Sequence, residues 1–353
     1  MNFLAVDMNI AALIPAHNEE SIIVDTIRAV QRQTMPVADI FVIADNCTDD
    51  TASLAESAGA TVITTFNNRD KKAGALNTAL NTLISKYDAF AVIDADTVLP
   101  PGFVKDAVEY LHDGYSAVGG IFGNSEPNGL VENMQCLEYN RFAYVISRSK
   151  RVQVLTGTSS VITADAFRGI KHARSTGDLP GSNYYSVDSI TEDNELTMCM
   201  RRLGMRLASP ESCRVETELM PTVSDLVKQR VRWYQGALMD MKAHGPRREL
   251  LRNYWQQAAL MLSLVASGLL LVLLTASLAY GMLSLTFWMV VPVIFMVTQT
   301  VMCWTRSTTL QRFLSIVTIP DIVYYFILQY AYGTALLRVM FRVGPSWHHV
   351  KEK

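Results

Sequence analysis

From Ala258 to Trp304 the chain carries no Asp, Glu, Lys or Arg. That run is about twice the roughly 20 residues that one membrane-spanning helix needs. It constrains the fold strongly, because a helix in a water-soluble core keeps a polar face and none is visible here. Tyr280 and Gly281 near its middle read as a turn, which predicts a helical hairpin with arms at about 258–280 and 283–304. Segment 313–337 is also apolar, but it carries Asp321 after Pro320 and four tyrosines, Tyr324, Tyr325, Tyr330 and Tyr332. It fits a span, a re-entrant segment or an interfacial helix. Asp321 reads as a polar group in or at the edge of a membrane. The tyrosines fit an aromatic interface belt as well as they fit the lining of a polar path.

Basic residues set the expected orientation. Arg247, Arg248 and Arg252 precede the hairpin and Arg306 and Arg312 follow it, so both flanks are predicted on the cytoplasmic side. The tail after 337 is basic too (Arg338, Arg342, Lys351, Lys353). A third full span would carry that tail outside, which favours an interfacial or re-entrant third segment. The opening "MNFLAVDMN" has neither a basic stretch nor an apolar run of signal-peptide length, so the N-terminal part is expected to stay where it is made. The expected location is a cell (inner or plasma) membrane, multi-pass, with the N-terminal domain cytoplasmic.

The rest of the 353 residues can bury a sizeable core, and a formal net charge of -2 gives no basic signature for nucleic acid. The five cysteines are dispersed, without CxxC or Cys/His metal spacing, which suggests reduced thiols rather than a disulfide framework.

Before the apolar run the pattern alternates. "NIAALI" (9–14) is a buried-strand pattern ending at Pro15, and "AHNEESIIVDTIRAV" continues at helical spacing. Ile40 to Ala44 is a second strand, closed by "DNCTDDT". A helix fits 50–58, a strand 60–65, a helix 73–86, and "AFAVIDADT" is a further strand ending in two acids. Strands alternating with helices predict an α/β, mostly parallel sheet with helices on both faces. Ligands of such sheets bind beyond the carboxyl ends of the strands, where "PAHNEE", "DNCTDDT" and "DADT" all fall. The 174–186 stretch "RSTGDLPGSNYYS" reads as the main loop. The expected boundary lies near His244-Gly245-Pro246, giving a domain at 1–244 and a membrane region at 245–353.

Four constellations carry chemistry. Asp94 and Asp96 end a strand one residue apart, so both carboxylates can approach one point, and such hard oxygen ligands suit Mg²⁺ or Mn²⁺. Alone they could be turn acids. Lys71 and Lys72 in "KKAGALN" precede a helix and could pair with a phosphate or stay solvated. In "TEDNEL" Glu192 and Asp193 sit at a helix mouth, where acids complement the dipole, and Ser189 with Glu192 reads as a capping box. In "QRVRW", Gln229, Arg232 and Trp233 are spaced along a helix; arginine suits bidentate phosphate binding, and Trp233 could equally anchor at a membrane interface.

In order, "PAHNEE", "DNCTDDT", "KAGALN", "DAD", "LTGTSSVI", "TED" and "QRVRW" resemble the family 2 glycosyltransferases, in the branch with the D, DxD, TED, QxxRW pattern. That branch includes synthases of cellulose, hyaluronan, chitin and poly-N-acetylglucosamine, and the resemblance covers roughly residues 9–240. It implies a GT-A fold, Rossmann-like, followed by a small α-helical membrane region. It implies a UDP-sugar donor, a glycan or lipid acceptor and a divalent cation. Pro15, Glu19 and Asp45 would line the nucleoside pocket with Lys72 beside it. Asp94 and Asp96 would face the nucleotide sugar, Asp96 holding the metal. Gly157, Thr158 and Ser159, with Ser160, would border the acceptor. Gln229, Arg232 and Trp233 would close over the diphosphate and the acceptor sugar, and Asp193, beside Glu192, would be the general base. One base and no nucleophile for a double displacement imply inversion, so an α-linked donor would give a β-glycoside.

Two departures stand out. "DNC" replaces the usual "DDG", though Asp45 is kept. Two or three apolar segments are too few for one copy to enclose a polysaccharide channel. Copies would assemble as a homo-oligomer, a partner would form the pore, or the product would be short or lipid-linked. A polysaccharide-synthase-like enzyme and a non-processive transferase acting on a membrane lipid therefore stand side by side. A non-catalytic transporter or scaffold fits the intact acidic set worst.

Overall fold

Three short apolar runs and one threonine-rich edge strand become the parallel heart of a sheet. In the computed structural model, which describes residues 8–124, 126–149, 152–281, 290–317 and 319–344, β1 (Ile10–Ala16), β2 (Asp39–Asp45), β3 (Thr61–Thr65) and β4 (Ala89–Ile93) alternate with α1 (Ile23–Gln31), α2 (Thr51–Ser57) and α3 (Lys71–Leu83). β1 pairs in parallel with β2 and with β4, and β2 with β3. The chain continues through α4 (Phe103–His112), β5 (Ala117–Gly119), β6 (Ile121–Gly123), α5 (Gly129–Ser149), β7 (Ser159–Thr163), α6 (Ala164–Ser175), α7 (Glu192–Arg202), β8 (Leu207–Ala208) and β9 (Arg214–Glu216). The main sheet has the order β3-β2-β1-β4-β7-β5-β8, and β6 with β9 forms a small parallel pair. Among the described strands of the main sheet, β7 alone runs antiparallel to its neighbours, β4 and β5.

The inner strands are covered on both faces, which is why they read as continuous apolar runs rather than alternating ones. Successive side chains still point to opposite faces. Leu13, Phe41 and Ile43 pack with Leu76 and Leu80 of α3. Ile10, Ile14 and Val42 pack with Ile23 and Ile27 of α1 on the other side. Since β1 has β2 on one side and β4 on the other, the strand order reverses between β1 and β4. The crevice beyond their carboxyl ends is where such a sheet takes a ligand. None of the five cysteines is in a disulfide among the described residues.

The chain divides into two compact units, one of residues 1–125 and 146–218, the other of 126–145 and 219–353. The second unit is helical. It holds most of α5, then α8 (Val223–His244), α9 (Leu251–Ala279), α10 (Val290–Cys303), α11 (Thr309–Val317) and α12 (Ile319–Met340). Among the described residues one helix is long and apolar enough to cross a membrane, the 32 residues Arg248–Ala279, with 6% of its apolar window buried. Leu262, Val272 and Leu278 on it are more than 60% exposed, the reverse of a core helix. Of the expected second arm, 290–303 is helical and 282–289 lies outside the described residues. Segment 313–337 is not one helix: α11 and α12 are bent by 80° to each other.

Within this unit, α12 packs along α8. Val231 of α8 meets Ala331 and Ala335 of α12, and the rings of Tyr234 and Tyr332 stand edge to face at 5.3 Å. The four tyrosines therefore split. Tyr324 and Tyr332 are buried, and Tyr325 and Tyr330 are exposed, so the aromatic-belt reading is corrected for the first two. Asp321 is held by a fork of two bonds from Arg141 of α5, at 2.9 and 2.6 Å.

Candidate active site

At the end of β2 the Asp45 side chain is 7% exposed. Its Oδ1 accepts from Thr65 Oγ1 at 2.5 Å, Asn68 Nδ2 at 2.8 Å and Asn46 Nδ2 at 3.3 Å. His17 Nδ1 lies 2.6 Å from the Asp45 carbonyl oxygen. The loops after β1 and β2 are laced together: Asn18 Oδ1 accepts from Thr48 N, Thr51 Oγ1 from Glu19 N, and Glu20 from Asp50 N. Cys47, the third residue of "DNC", donates its thiol to the Ala16 carbonyl at 3.4 Å. Pro15 lies at the end of β1 opposite Ile43.

The glycine of "KAGALN" now has a reason. A Cβ on Gly74 would stand 2.2 Å from Asn68 Oδ1 and 2.8 Å from the Asp70 Cβ. Asn68 is pinned there, accepting from Asp70 N and donating to the Lys71 carbonyl and to Asp45. Gly74 thus leaves room for the side chain that orients Asp45. Gly74→Ala is expected to push Asn68 off Asp45 and lower stability by about 1.5–3 kcal/mol, the worth of one hydrogen bond to a charged group. Denaturant unfolding checks it, and an unchanged stability would overturn it.

Beyond β4, Asp94 N donates to the Thr158 carbonyl at 2.8 Å, which sets "GTSS" beside "DAD". Lys72, in the first turn of α3, points its ammonium at three groups: Asp94 Oδ1 at 2.5 Å, Glu192 Oε1 at 3.2 Å and the Gly157 carbonyl at 3.0 Å. The amide of the same Gly157 donates to Asp193 Oδ2 at 3.0 Å, while Asn194 N donates to Asp193 Oδ1 at 2.8 Å. One glycine links the lysine to the expected base. Burial would pull the Lys72 ammonium down, but Asp94 and then Glu192 outweigh it and hold its pKa above the ordinary lysine value. Burial pushes Asp94 up to about 6 against the pull of Lys72. Burial first and then repulsion from Glu218 raise Asp96.

The three acids of "TEDNEL" therefore have three fates. Glu192 pairs with Lys72. Asp193 takes two amide hydrogen bonds. Glu195 is buried against Arg174 of α6 at 2.6 Å, tying α7 down. The capping-box reading is corrected: α7 starts at Glu192, its N-cap position is Thr191, and no side chain caps it. Ser189 Oγ accepts from Thr191 N instead.

Lys72, Asp94, Gly157, Glu192 and Asp193 are thus brought together. Ser159 opens β7 with its hydroxyl buried, and the Thr158 carbonyl serves Asp94. Pro15, Glu19 and Asp45 stand at the ends of β1 and β2. Gln229, Arg232 and Trp233 lie on α8 in the second unit. Two contributors escaped the sequence reading. Tyr185 lines the same cleft as Lys72, Glu192 and Asp193, and Asn77 of α3 grips its backbone with two bonds, each 2.9 Å. The available signal was Asn77 itself, a polar residue on the buried side of a helix.

Residues 8–236 match the family model described as "Glycosyltransferase like family 2". The chain belongs to that family. A poly-β-1,6-N-acetyl-D-glucosamine synthase of Staphylococcus aureus is 27% identical to this family 2 chain over 237 residues, 64% of it and 54% of the relative. The synthase of the same name from Staphylococcus epidermidis is 26% identical over 254 residues, 70% and 56% of the two chains. The chain thus spans about half the length of these curated relatives. A mannosyltransferase from Pyrobaculum calidifontis, solved with GDP-mannose and Mn²⁺, superposes with a TM-score of 0.60 at 15% identity, covering 96% of this chain and 88% of that one. That likeness shows the GT-A fold.

Proposed function

We propose that this family 2 chain is a membrane-bound, inverting hexosyltransferase that moves a sugar from a UDP-sugar to an acceptor hydroxyl, forming a β-glycosidic bond. The supporting observation is the cluster at the carboxyl end of β4. Asp193 is held at both oxygens beside Gly157, and Lys72 joins Asp94 to Glu192. The acceptor oxygen attacks the anomeric carbon, the bond from that carbon to the diphosphate breaks, and the acceptor proton passes to Asp193. A single displacement of this kind inverts the centre. Asp45, with Pro15, Glu19 and Lys72, holds the nucleoside. Gly157, Thr158 and Ser159 border the acceptor, and Gln229, Arg232 and Trp233 serve the diphosphate and the acceptor sugar.

The carboxylates of Asp96 and Glu218, close enough for Glu218 to raise Asp96, are hard oxygen donors that suit Mg²⁺ or Mn²⁺. Asp96 would hold the cation, which would neutralise charge on the departing diphosphate. Removal of divalent cations with EDTA is expected to abolish nucleotide release, with recovery on adding Mn²⁺ or Mg²⁺. Asp96→Asn should lower release at least about 100-fold. Full activity in EDTA would overturn the metal assignment.

The exposed apolar α9 supports the membrane reading. The relatives' names favour a β-linked polymer. A discrete lipid-linked product is the second reading, favoured by the direct packing of α8 on α12, which fills the space between those helices with side chains. The deciding experiment follows UDP release from detergent-solubilised protein over a panel of UDP-sugars with Mg²⁺ or Mn²⁺, with and without lipid acceptors, and sizes the product. A ladder without added lipid establishes polymer synthesis; lipid-dependent release ending at one glycolipid establishes the other. No release with any donor would overturn the proposal.

A further inference from the structure

Arg230, the second residue of "QRVRW", is 1% exposed. Its Nη1 donates to Gln229 Oε1 at 2.7 Å, and its Cζ lies 4.3 Å from the centroid of the Trp233 ring. One guanidinium therefore holds two of the three residues that the family pattern singles out. It is itself anchored. Nη2 donates to Glu138 Oε2 of α5 at 2.8 Å and to Tyr139 Oη at 3.4 Å. Tyr324 of α12 donates its hydroxyl to the same Glu138 Oε2.

Burying a guanidinium is expensive, and a well-packed apolar residue would often serve stability as well or better. What an apolar residue cannot supply is direction. The planar fork bonds a carboxylate on one edge and an amide oxygen on another while its face lies on an indole. Trp233 is half-buried, so one side of the ring is covered by Arg230 and part of it stays open.

We propose that Arg230 is a positioning residue, fixing Gln229 and Trp233 for the transfer step, with Glu138 and Tyr324 as its anchor on α5 and α12. The inference rests on the reading of Gln229 and Trp233 as donor- and acceptor-facing groups. A lysine at 230 keeps a charge for Glu138 but loses the fork and the stacked plane, so the helix should still fold.

The test compares wild type, Arg230→Lys, Trp233→Phe and the double variant in detergent, by kcat, donor KM and thermal midpoint. Hydrogen exchange of residues 229–236 is followed alongside. Arg230→Lys is expected to lower kcat roughly 10–100-fold with donor KM within about threefold, as for an interaction used in the transition state. The loss in the double variant should fall short of the product of the two single losses by at least about threefold, since residues acting through one another do not add. Losses that multiply, or full turnover in Arg230→Lys, would overturn the inference. If wild type transfers no sugar, the functional reading falls and exchange alone decides. A rise of about tenfold at 229–236 in Arg230→Lys, with α3 unchanged, supports the positioning role, and unchanged exchange overturns it.

Discussion

Asp193→Asn is expected to keep nucleotide affinity within about threefold and to lower turnover by roughly 10²–10⁴-fold, the usual worth of a general base. Affinity survives because Asp193 is bonded to Gly157 N and Asn194 N, whereas the proposed nucleoside pocket is built around Asp45 at the end of β2. Turnover falls because an amide cannot take up the acceptor's proton. The change has a structural cost as well. Both carboxylate oxygens accept from N–H groups, and asparagine offers one acceptor and one donor, so one amide is left facing an NH₂. That mismatch costs about 1–3 kcal/mol. Thermal unfolding measures this part separately, and steady-state UDP release with calorimetric UDP binding measures the rest. Near-normal turnover in a folded Asp193→Asn protein would remove Asp193 from its role.

The parallel half of the fold was legible because β1, β4 and most of β2 are buried on both faces and announce themselves as apolar runs. The acids at the strand ends were legible for the same reason, since they stand where apolar residues stop. The partners of those acids were not. Lys72 reaches a carbonyl 85 residues away, Arg141 pairs with Asp321 across 180 residues, and Arg230 reaches Glu138 across 92. No periodicity encodes such pairings, because packing of one element on another creates them. Local rules also lost where a stronger partner was present. The spacing of Ser189 and Glu192 fits a capping box, yet Glu192 turns to the Lys72 ammonium, and a buried ion pair outweighs one backbone N–H bond. Tyr324 and Tyr332 look like belt residues in one dimension, but α12 turns them onto Glu138 and Tyr234. Gly74 was visible in its motif, and its meaning needed the Asn68 side chain that a Cβ would strike.

Lys72 carries the second large prediction. Its ammonium is the charge between Asp94 and Glu192, whose side chains are 30% and 11% exposed. Lys72→Met keeps the length and removes the charge, leaving carboxylates largely out of water. Breaking a buried pair on one side costs about 3–5 kcal/mol, unless a carboxylate takes up a proton to escape. Asp94 is ready to do so, since burial already pushes it up to about 6 with Lys72 in place. Without the lysine its folded pKa rises further. The folded state then binds more protons than the unfolded chain from the ordinary aspartate range upward, so stability falls as pH rises through that window. The raised pKa of Lys72 itself contributes stability that is fully present below the ordinary lysine value and is lost only above it, so it is constant between pH 5 and 8. The deficit of Lys72→Met against wild type is therefore expected to be small at pH 5 and to approach the full 3–5 kcal/mol near pH 8. Denaturant unfolding of both proteins at the two pH values reads it directly. An equal deficit at pH 5 and pH 8 would mean that Asp94 does not carry the compensating proton. No deficit at either would mean that the Lys72 ammonium is not what holds the strand end, Gly157 and the mouth of α7 together.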